Sequence, residues 1–281
     1  MIISTDSTSN LPKEYYKQKD IKMIPLQIIM DENVYDDLSP ELPLDEFYKK
    51  MASGSHPKTA QVNVESAREY FLNLLSTGED ILHISFSSAL SGTTPSLKSI
   101  AQELNLDRNN KLYVFDSLNA SMGEGLLTLK AWELKEQGKS VDEILNELNE
   151  LKDHACSFFT PESLKYLVRG GRVSKFSGII GTILNIKPVL HVNNLGQLVA
   201  YKKTISRKRA IQELVETCLS KRFDDSPIFI THAQSEEDAT ILQQKIESAT
   251  NVKPIICDLT QVIGCHTGPG LLSIFFFGKE K

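Results

Sequence analysis

The sequence predicts a two-domain α/β protein, and two observations carry this prediction. Short apolar runs alternate with amphipathic helical segments through the first half of the 281 residues. This alternation is typical of a Rossmann-like, mostly parallel sheet with helices on both faces. In the second half, a hairpin signal and a terminal apolar run indicate an α+β domain with a mostly antiparallel sheet. We place the boundary after Asp153, which gives domains 1–153 and 154–281.

The first half supplies the alternating elements. Short buried runs predict strands at 2–5, 23–30, 81–85 and 111–116, the second with Pro25 near an edge or a start. Apolar residues at helical spacing predict helices at 44–51, 66–75, 97–104, 125–137 and 141–152. Gly138 follows the fourth of these helices as a C-cap.

The second half changes character. Gly170-Gly171 breaks a helical stretch, and Asn193-Asn194-Leu195-Gly196 joins the two strands of a hairpin. Ser206 is expected to cap the next helix. The remaining predictions are a hairpin of 187–192 with 197–201, helices at 208–220 and 236–248, strands at 228–230 and 255–257, a glycine-rich loop at 264–270 and an apolar run at 271–277.

Composition excludes several classes of protein. A net charge of −5 argues against a basic nucleic-acid-binding surface. No apolar stretch approaches the roughly 20 residues of a membrane span, and the N-terminal residues lack the features of a signal peptide. The four cysteines form no CxxC pair, so neither a metal site nor a disulfide framework is expected. We therefore expect free thiols in a cytoplasmic protein without stable membrane insertion.

The most informative segment is Ser91-Gly92-Thr93, a hydroxyl-rich turn between a predicted strand and a helix. Such a turn offers hydroxyls and free backbone N–H groups to a carboxylate or a phosphate. Hydroxyl-rich segments at 6–9, 87–93 and 116–123 all follow predicted strands, so they can converge at one edge of the sheet. The alternative for each loop is a purely structural turn or helix cap.

Catalytic motifs are absent from the sequence. It contains no G-x-S-x-G, no phosphate-binding loop and no HExxH, and Gly123-Glu124-Gly125 lacks the third glycine of a dinucleotide fingerprint. Two classes of function stay open: a binding protein, and an acyl- or phosphoryl-transfer enzyme with Ser91 as nucleophile and His266 as base. A regulatory sensor is a third hypothesis.

Three further features have both a functional and a structural interpretation. Small residues surround His266, which indicates a close approach to a ligand, although single histidines are often structural. Arg172 belongs to an arginine pair around Gly170-Gly171 that is either solvated or functional. The basic cluster that includes Lys203 and Arg207 is either a solvated helix start or a docking patch for a partner or a phosphate.

Together these motifs resemble the DegV family of fatty-acid-binding proteins, which includes the acyl-carrying subunits of bacterial fatty acid kinase. The resemblance covers nearly the whole chain. The matching segments are residues 6–8, 59–61, 87–93, 114–117, 121–125, 164–174, 184–190 and 264–270.

The resemblance implies that a long-chain fatty acid such as palmitate lies between the two domains and that its carboxylate is held by Thr59 and Ser91. It implies neither a catalytic residue nor a metal nor a cofactor. A partner kinase would form the acyl phosphate for phospholipid synthesis. The positions expected near the head group are Gln61, Gly92, Thr93, Ser117, Arg172 and His266.

Two positions depart from the family pattern. The family's T-S-Q-P loop reads Thr59-Ala60-Gln61-Val62, and Ile205 stands where the family's K-V-R segment has an arginine. Partner docking is therefore expected to use Lys203 and Arg207. Candidates for the acyl tunnel are Ile179, Ile180, Ile183 and Leu184 together with residues 271–277, for which ordinary core packing is the alternative.

Overall fold

Three β-sheets organise the chain in the computed structural model, which describes residues 1–172 and 186–281. Their strands, in chain order, are β1 Ile2–Asp6, β2 Lys22–Ile24, β3 Gln27–Met30, β4 Asn33–Asp36, β5 Lys58–Ala60, β6 Ile81–Ser85, β7 Leu112–Asp116, β8 Ala155–Thr160, β9 Val189–Val192, β10 Leu198–Lys202, β11 Phe229–His232, β12 Ile255–Asp258 and β13 Leu272–Phe277.

The helices of the described residues connect these strands. They are α1 Lys13–Gln18, α2 Leu44–Ala52, α3 Val64–Leu75, α4 Thr93–Leu104, α5 Met122–Glu136, α6 Val141–Leu151, α7 Lys165–Arg169, α8 Arg207–Lys221, α9 Glu236–Thr250 and α10 Gln261–Thr267. A short 3-10 turn, Ser7–Ser9, follows β1.

The first sheet has the strand order β2-β1-β6-β7, and all its neighbours are parallel. Every residue of β1 and β6 is buried, as expected for strands covered on both faces. Phe71 and Leu97 of α3 and α4 pack in one apolar cluster, and Leu126 and Ile144 of α5 and α6 pack in another. The predicted parallel sheet with helices on both faces is confirmed.

The second sheet has the order β10-β9-β8-β13-β11-β12. Its neighbouring strands are antiparallel except for the β11–β12 pair, so the predicted mostly antiparallel sheet is also confirmed. Leu214 of α8 and Leu242 of α9 pack on one face together with Phe158 and Phe276. The opposite face, which carries Phe159, is turned toward the first domain.

The prediction of one strand at 23–30 was wrong, because this segment divides at Pro25 and Leu26. Proline has no N–H to donate to a sheet ladder, and the Leu26 N–H donates to Ser7 Oγ (3.1 Å) instead of to a strand. β2 therefore joins the parallel sheet, whereas β3 pairs with β4 and β5 in a third, antiparallel sheet that the sequence did not predict.

The prediction of a loop over 264–270 was wrong in its first half, because Gly264 and His266 lie in helix α10. Gly264 is required by close packing: a Cβ at this position would lie 2.4 Å from Tyr48 Oη. The helix ends at Gly268, whose φ of 77° favours glycine.

The second sheet begins at Ala155, with a strand that the sequence did not predict. The proposed boundary after Asp153 stays a prediction. The candidate tunnel residues Ile179, Ile180, Ile183 and Leu184 lie outside the described residues, whereas β13 contributes Ser273 and Phe275 to a cavity wall.

Candidate functional site

A cavity of about 200 Å³ lies between the first domain and the open face of the second sheet. The β6–α4 and β7–α5 loops, the end of β5 and helix α10 form one side, and β8 and β13 form the other. Most of its wall is apolar, with contributions from Leu26, Phe86, Leu90, Phe159, Leu167, Val192, Leu198, Leu259, Val262, Leu271 and Phe275.

Thr59 and His266 meet in this cavity. Thr59 Oγ1 lies 2.8 Å from His266 Nε2, at hydrogen-bond distance, although the two residues are 207 positions apart. β5 carries the threonine in the third sheet, and the last turn of α10 carries the histidine. The contact therefore depends on two elements that the sequence did not predict.

Burial and the positive charge of Arg172 lower the pKa of His266 to about 4, with burial the larger cause. The imidazole is therefore neutral near pH 7. Its Nδ1 is buried and has no hydrogen-bond partner among residues 1–172 and 186–281. Gly170 packs directly against this atom, since a Cβ at Gly170 would lie 2.3 Å from Nδ1. The Gly-Gly break thus makes room for the histidine ring.

Arg172 connects two segments of the cavity wall. Its Nε donates to the Leu90 carbonyl (3.2 Å), and its Nη1 donates to the Gly170 carbonyl (2.6 Å). The guanidinium thus ties the end of α7 to the β6–α4 loop and places a positive charge beside His266.

Ser91, Gly92 and Gln61 form the wall next to Thr59. Ser91 Oγ accepts the Thr93 N–H (3.2 Å) and lies 3.0 Å from Thr93 Oγ1, so it also orders the start of α4. Gln61 lies over Gly92, where a Cβ would be 2.3 Å from Gln61 Oε1. The structural and the ligand-binding interpretations of the Ser91 turn are therefore compatible.

Comparison with known proteins identifies the family. The profile described as "Uncharacterised protein, DegV family" matches residues 1–279. This chain belongs to the DegV family. A DegV domain-containing protein of Clostridium perfringens is 39% identical to it over 287 residues, covering 100% of this chain and 98% of the relative.

Solved DegV structures share the fold. A DegV family protein from Thermus thermophilus, described for its fatty acid binding, superposes with a TM-score of 0.90 at 28% identity over 99% of both chains. DegV from Bacillus subtilis, described as a fatty acid binding protein, gives a TM-score of 0.88 at 30% identity, again over 99% of both chains. The two-domain α/β architecture is that of these DegV structures.

The structure of this DegV chain brings most of the predicted head-group residues to one cavity. Besides Thr59, Ser91 and His266, the residues that line it are Gln61, Gly92 and Arg172. Thr93 is buried behind Ser91, and Ser117 forms a turn in which it accepts the Asn119 N–H (3.2 Å). Those two residues support the loops rather than line the wall.

The three hydroxyl-rich loops of the DegV chain differ in role. The loops at 87–93 and 116–123 reach the cavity, whereas the loop at 6–9 is buried in the first domain. Asp6 accepts hydrogen bonds there from the Phe86 N–H (2.8 Å) and the Ser85 hydroxyl (3.0 Å). This loop therefore organises the neighbouring loop without facing the cavity.

Three serines of the wall were not identified as site residues from the sequence: Ser121, Ser157 and Ser273. Ser121 belongs to a segment that matches the DegV pattern, but nothing in the sequence signals its unusual backbone. Ser157 and Ser273 lie in apolar strands, and only strand register shows that they face the cavity.

The proposed docking residues lie away from the cavity. Lys203 is exposed, whereas Arg207 is half-buried and engaged: its Nε donates to Asp238 Oδ2 (2.8 Å) and its Nη1 to the Thr160 carbonyl (3.0 Å). Ile205 is 86% exposed between them. Within the described ranges, no helix combines the length and the apolar character that crossing a membrane requires.

Proposed function

We propose that this DegV chain binds a long-chain fatty acid between its two domains, with the carboxylate held by Thr59 and Ser91. The observation that carries the proposal is the Thr59–His266 pair in the wall of an otherwise apolar cavity. The descriptions of the Thermus thermophilus and Bacillus subtilis proteins as fatty-acid-binding support it.

The head-group chemistry follows from the neutral state of His266. With Nε2 protonated, the imidazole donates to Thr59 Oγ1, and the threonine O–H is then free to donate to a carboxylate oxygen. Ser91 offers a second hydroxyl, and Arg172 lies near enough to His266 to lower its pKa. Hydrogen bonds to an ionised carboxylate are short and strong, so this set orients the head group.

The acyl chain supplies most of the affinity. Each buried methylene contributes about 0.8 kcal/mol, so about fourteen methylenes of a chain such as palmitate give roughly 11 kcal/mol before the costs of association. The apolar wall, which includes Phe86, Phe159 and Phe275, is suited to burying such a chain.

The chain performs no chemistry itself in this proposal. It presents the carboxylate in the cytoplasm to a partner kinase, which forms the acyl phosphate used in phospholipid synthesis. Of the two predicted docking residues, Lys203 is the exposed one, because Arg207 is engaged with Asp238. The rival enzyme would need His266 to activate Ser91, but Nε2 pairs with Thr59 and the Ser91 hydroxyl pairs with Thr93.

Native mass spectrometry of protein from a bacterial host, followed by denaturing extraction, tests the proposal. A non-covalent fatty acid that is released on unfolding supports it and gives the preferred chain length. An empty protein, or an adduct on Ser91 that survives denaturation, would move the assignment to a transfer enzyme.

A further inference from the structure

Ser121 has an unusual backbone at the junction of the β7–α5 loop and helix α5. Its φ of 53° and ψ of −144° are strained for a residue with a side chain. A serine that precedes a helix normally caps it by accepting a hydrogen bond from the first turn, but the Ser121 side chain makes no such bond. The strained turn holds the residue at the cavity wall instead.

The Ser121 hydroxyl is buried and finds no hydrogen-bond partner within residues 1–172 and 186–281. The residue is 4% exposed. Most buried hydroxyls are hydrogen-bonded, and exceptions of this kind in a cavity wall point to a bound group. A purely apolar acyl chain offers this hydroxyl nothing.

Two more hydroxyls face the cavity from the second sheet. Ser157 lies opposite Phe275 and Ser273 lies opposite Phe159, so serines and aromatic rings alternate across β8 and β13. Ser157 Oγ donates to Asn119 Oδ1 (2.7 Å), which leaves its lone pairs free to accept. Ser273 Oγ lies 3.1 Å from Thr231 Oγ1.

The first turn of α5 packs closely on this polar group. A Cβ at Gly123 would lie 2.2 Å from Asn119 Oδ1 and 2.3 Å from Ser157 Oγ. Gly123 comes two residues after Ser121, so the Ser121 turn lies beside the Ser157–Asn119 pair. Among the described residues, the Ser121 O–H is therefore a free donor, and the Ser121 and Ser157 oxygens are free acceptors.

The surroundings of Ser121 favour a neutral group over an anion. The N–H groups of Gly123, Glu124 and Gly125 already donate to the carbonyls of Ala120 and Ser121 (2.9–3.1 Å), so the helix start has no free row of donors. The carboxylate belongs with Thr59, His266 and Arg172. A hydroxyl, which donates and accepts, matches what Ser121 and Ser157 leave open.

We propose that the cavity binds acyl chains that carry a hydroxyl group within the chain, and that Ser121 is the residue that recognises it. This inference rests on the proposed fatty-acid binding and names the ligand class more closely. Ser121 donates to the ligand oxygen, and the ligand hydroxyl donates to Ser157.

The competing explanation is an ordered water molecule that bridges Ser121 and Ser157 above an unsubstituted chain. The two explanations differ in what they predict for binding: a bridging water gives no preference for a hydroxylated ligand. Stearate and a series of hydroxystearates with the hydroxyl moved along the chain separate them.

The experiment measures the affinity of this series for the wild type, Ser121→Ala and Ser121→Gly. We expect one position of the hydroxyl to bind the wild type about fivefold more tightly than stearate. Both variants should lose this preference while still binding stearate. Glycine also relieves the strain of the positive φ, so a failure of the alanine variant to fold leaves the test intact.

A series in which no member binds better than stearate, or a preference that survives in both variants, overturns the inference while leaving fatty-acid binding in place. A wild type that binds neither stearate nor any hydroxystearate overturns the proposed function itself. Thr59→Val is the matched control, because it should weaken all members of the series equally and keep their order.

Discussion

Two regions of this protein contain buried polar side chains of the same kinds but satisfy them differently. In the first domain, Asp6 accepts from His83, Ser85 and the Phe86 N–H, and the protein itself completes the network. In the cavity, Ser121 Oγ and His266 Nδ1 find no partner among the described residues. The protein thus satisfies the polar groups around Asp6 by itself, whereas we propose that a ligand satisfies those in the cavity.

Glu124 is a second buried carboxyl of the first domain whose hydrogen-bond partners come from the protein itself. It is fully buried and accepts from Thr5 (3.1 Å) and Thr8 (3.0 Å). Burial, followed by the charge of Asp6, raises its pKa well above the usual range. Glu124, Thr5 and Thr8 are not among the residues that line the cavity, so this network is structural.

Removing Asp6 should have the largest effect on stability. Asp6→Ala leaves the Phe86 N–H, the Ser85 hydroxyl and His83 without their acceptor, so we expect a loss of about 3–5 kcal/mol in the free energy of unfolding. Urea denaturation followed by circular dichroism measures it. The control, Asp225→Ala at an exposed site, should change stability by less than about 0.5 kcal/mol. A loss below about 1 kcal/mol for Asp6→Ala would show that the network is dispensable.

The pH dependence of stability should report His266. Its pKa is about 4 in the folded protein, compared with about 6.5 when unfolded, so the unfolded chain binds more protons between these values. Stability should therefore rise with pH from about 4 to 6.5, by up to about 3 kcal/mol from this residue, and then level off.

His266→Asn should lose this contribution, so the difference in unfolding free energy between wild type and variant should grow from pH 4 to 6.5. Burial raises the pKa of Asp37 to about 6, and this carboxyl makes stability fall as the pH rises. Because wild type and variant both contain Asp37, its contribution cancels in the difference between them. A difference that is constant with pH would mean that His266 titrates normally.

Gly170→Ala should disturb the cavity more than the core. The new Cβ would lie 2.3 Å from His266 Nδ1, so the ring must move, at a cost of about 1–3 kcal/mol in stability. Thermal unfolding and a fatty-acid displacement assay measure the two effects. In a double-mutant cycle, His266→Ala should remove most of the cost; independent, additive effects would contradict the contact.

Thr59→Val should have the smallest effect on stability and a clear effect on binding. It keeps the side-chain volume but removes the hydroxyl, and we expect affinity for a fatty acid to fall about tenfold. Isothermal titration calorimetry checks this. Thr267→Val is the matched control, since that hydroxyl also lines the cavity but donates to the Ile263 carbonyl (3.1 Å). Equal losses in both variants would refute a specific role for Thr59.

The sequence predicted the fold class because local signals and tertiary structure agree there. The buried runs at β1 and β6 and the amphipathic α3 and α6 follow ordinary periodicity, and Ser206 caps α8 by accepting the Arg209 N–H (3.2 Å), as expected. The local sequence pattern gave a wrong prediction at 23–30, because the Leu26 N–H donates to the Ser7 hydroxyl instead of to a neighbouring strand.

Ser91 and His266 were singled out from the sequence itself, whereas Thr59 and Gln61 came from the family resemblance, and the structure shows why local pattern alone did not join them into one site. Thr59 and His266 meet across 207 positions, and glycine-rich sequence around His266 suggested a loop where a helix forms. Ser121 was not singled out within its hydroxyl-rich segment, because its strain and the lack of a partner for its hydroxyl among the described residues exist only in the folded chain.

The position of β13 has a consequence for how the protein is made. This strand follows all the other described strands in sequence, yet it lies in the interior of the second sheet, between β8 and β11, and carries Ser273 and Phe275 to the cavity. During synthesis, β8 and β11 leave the ribosome more than 40 residues before their shared neighbour. The nascent chain therefore has no complete cavity until β13 emerges, and ligand capture can begin only after that point.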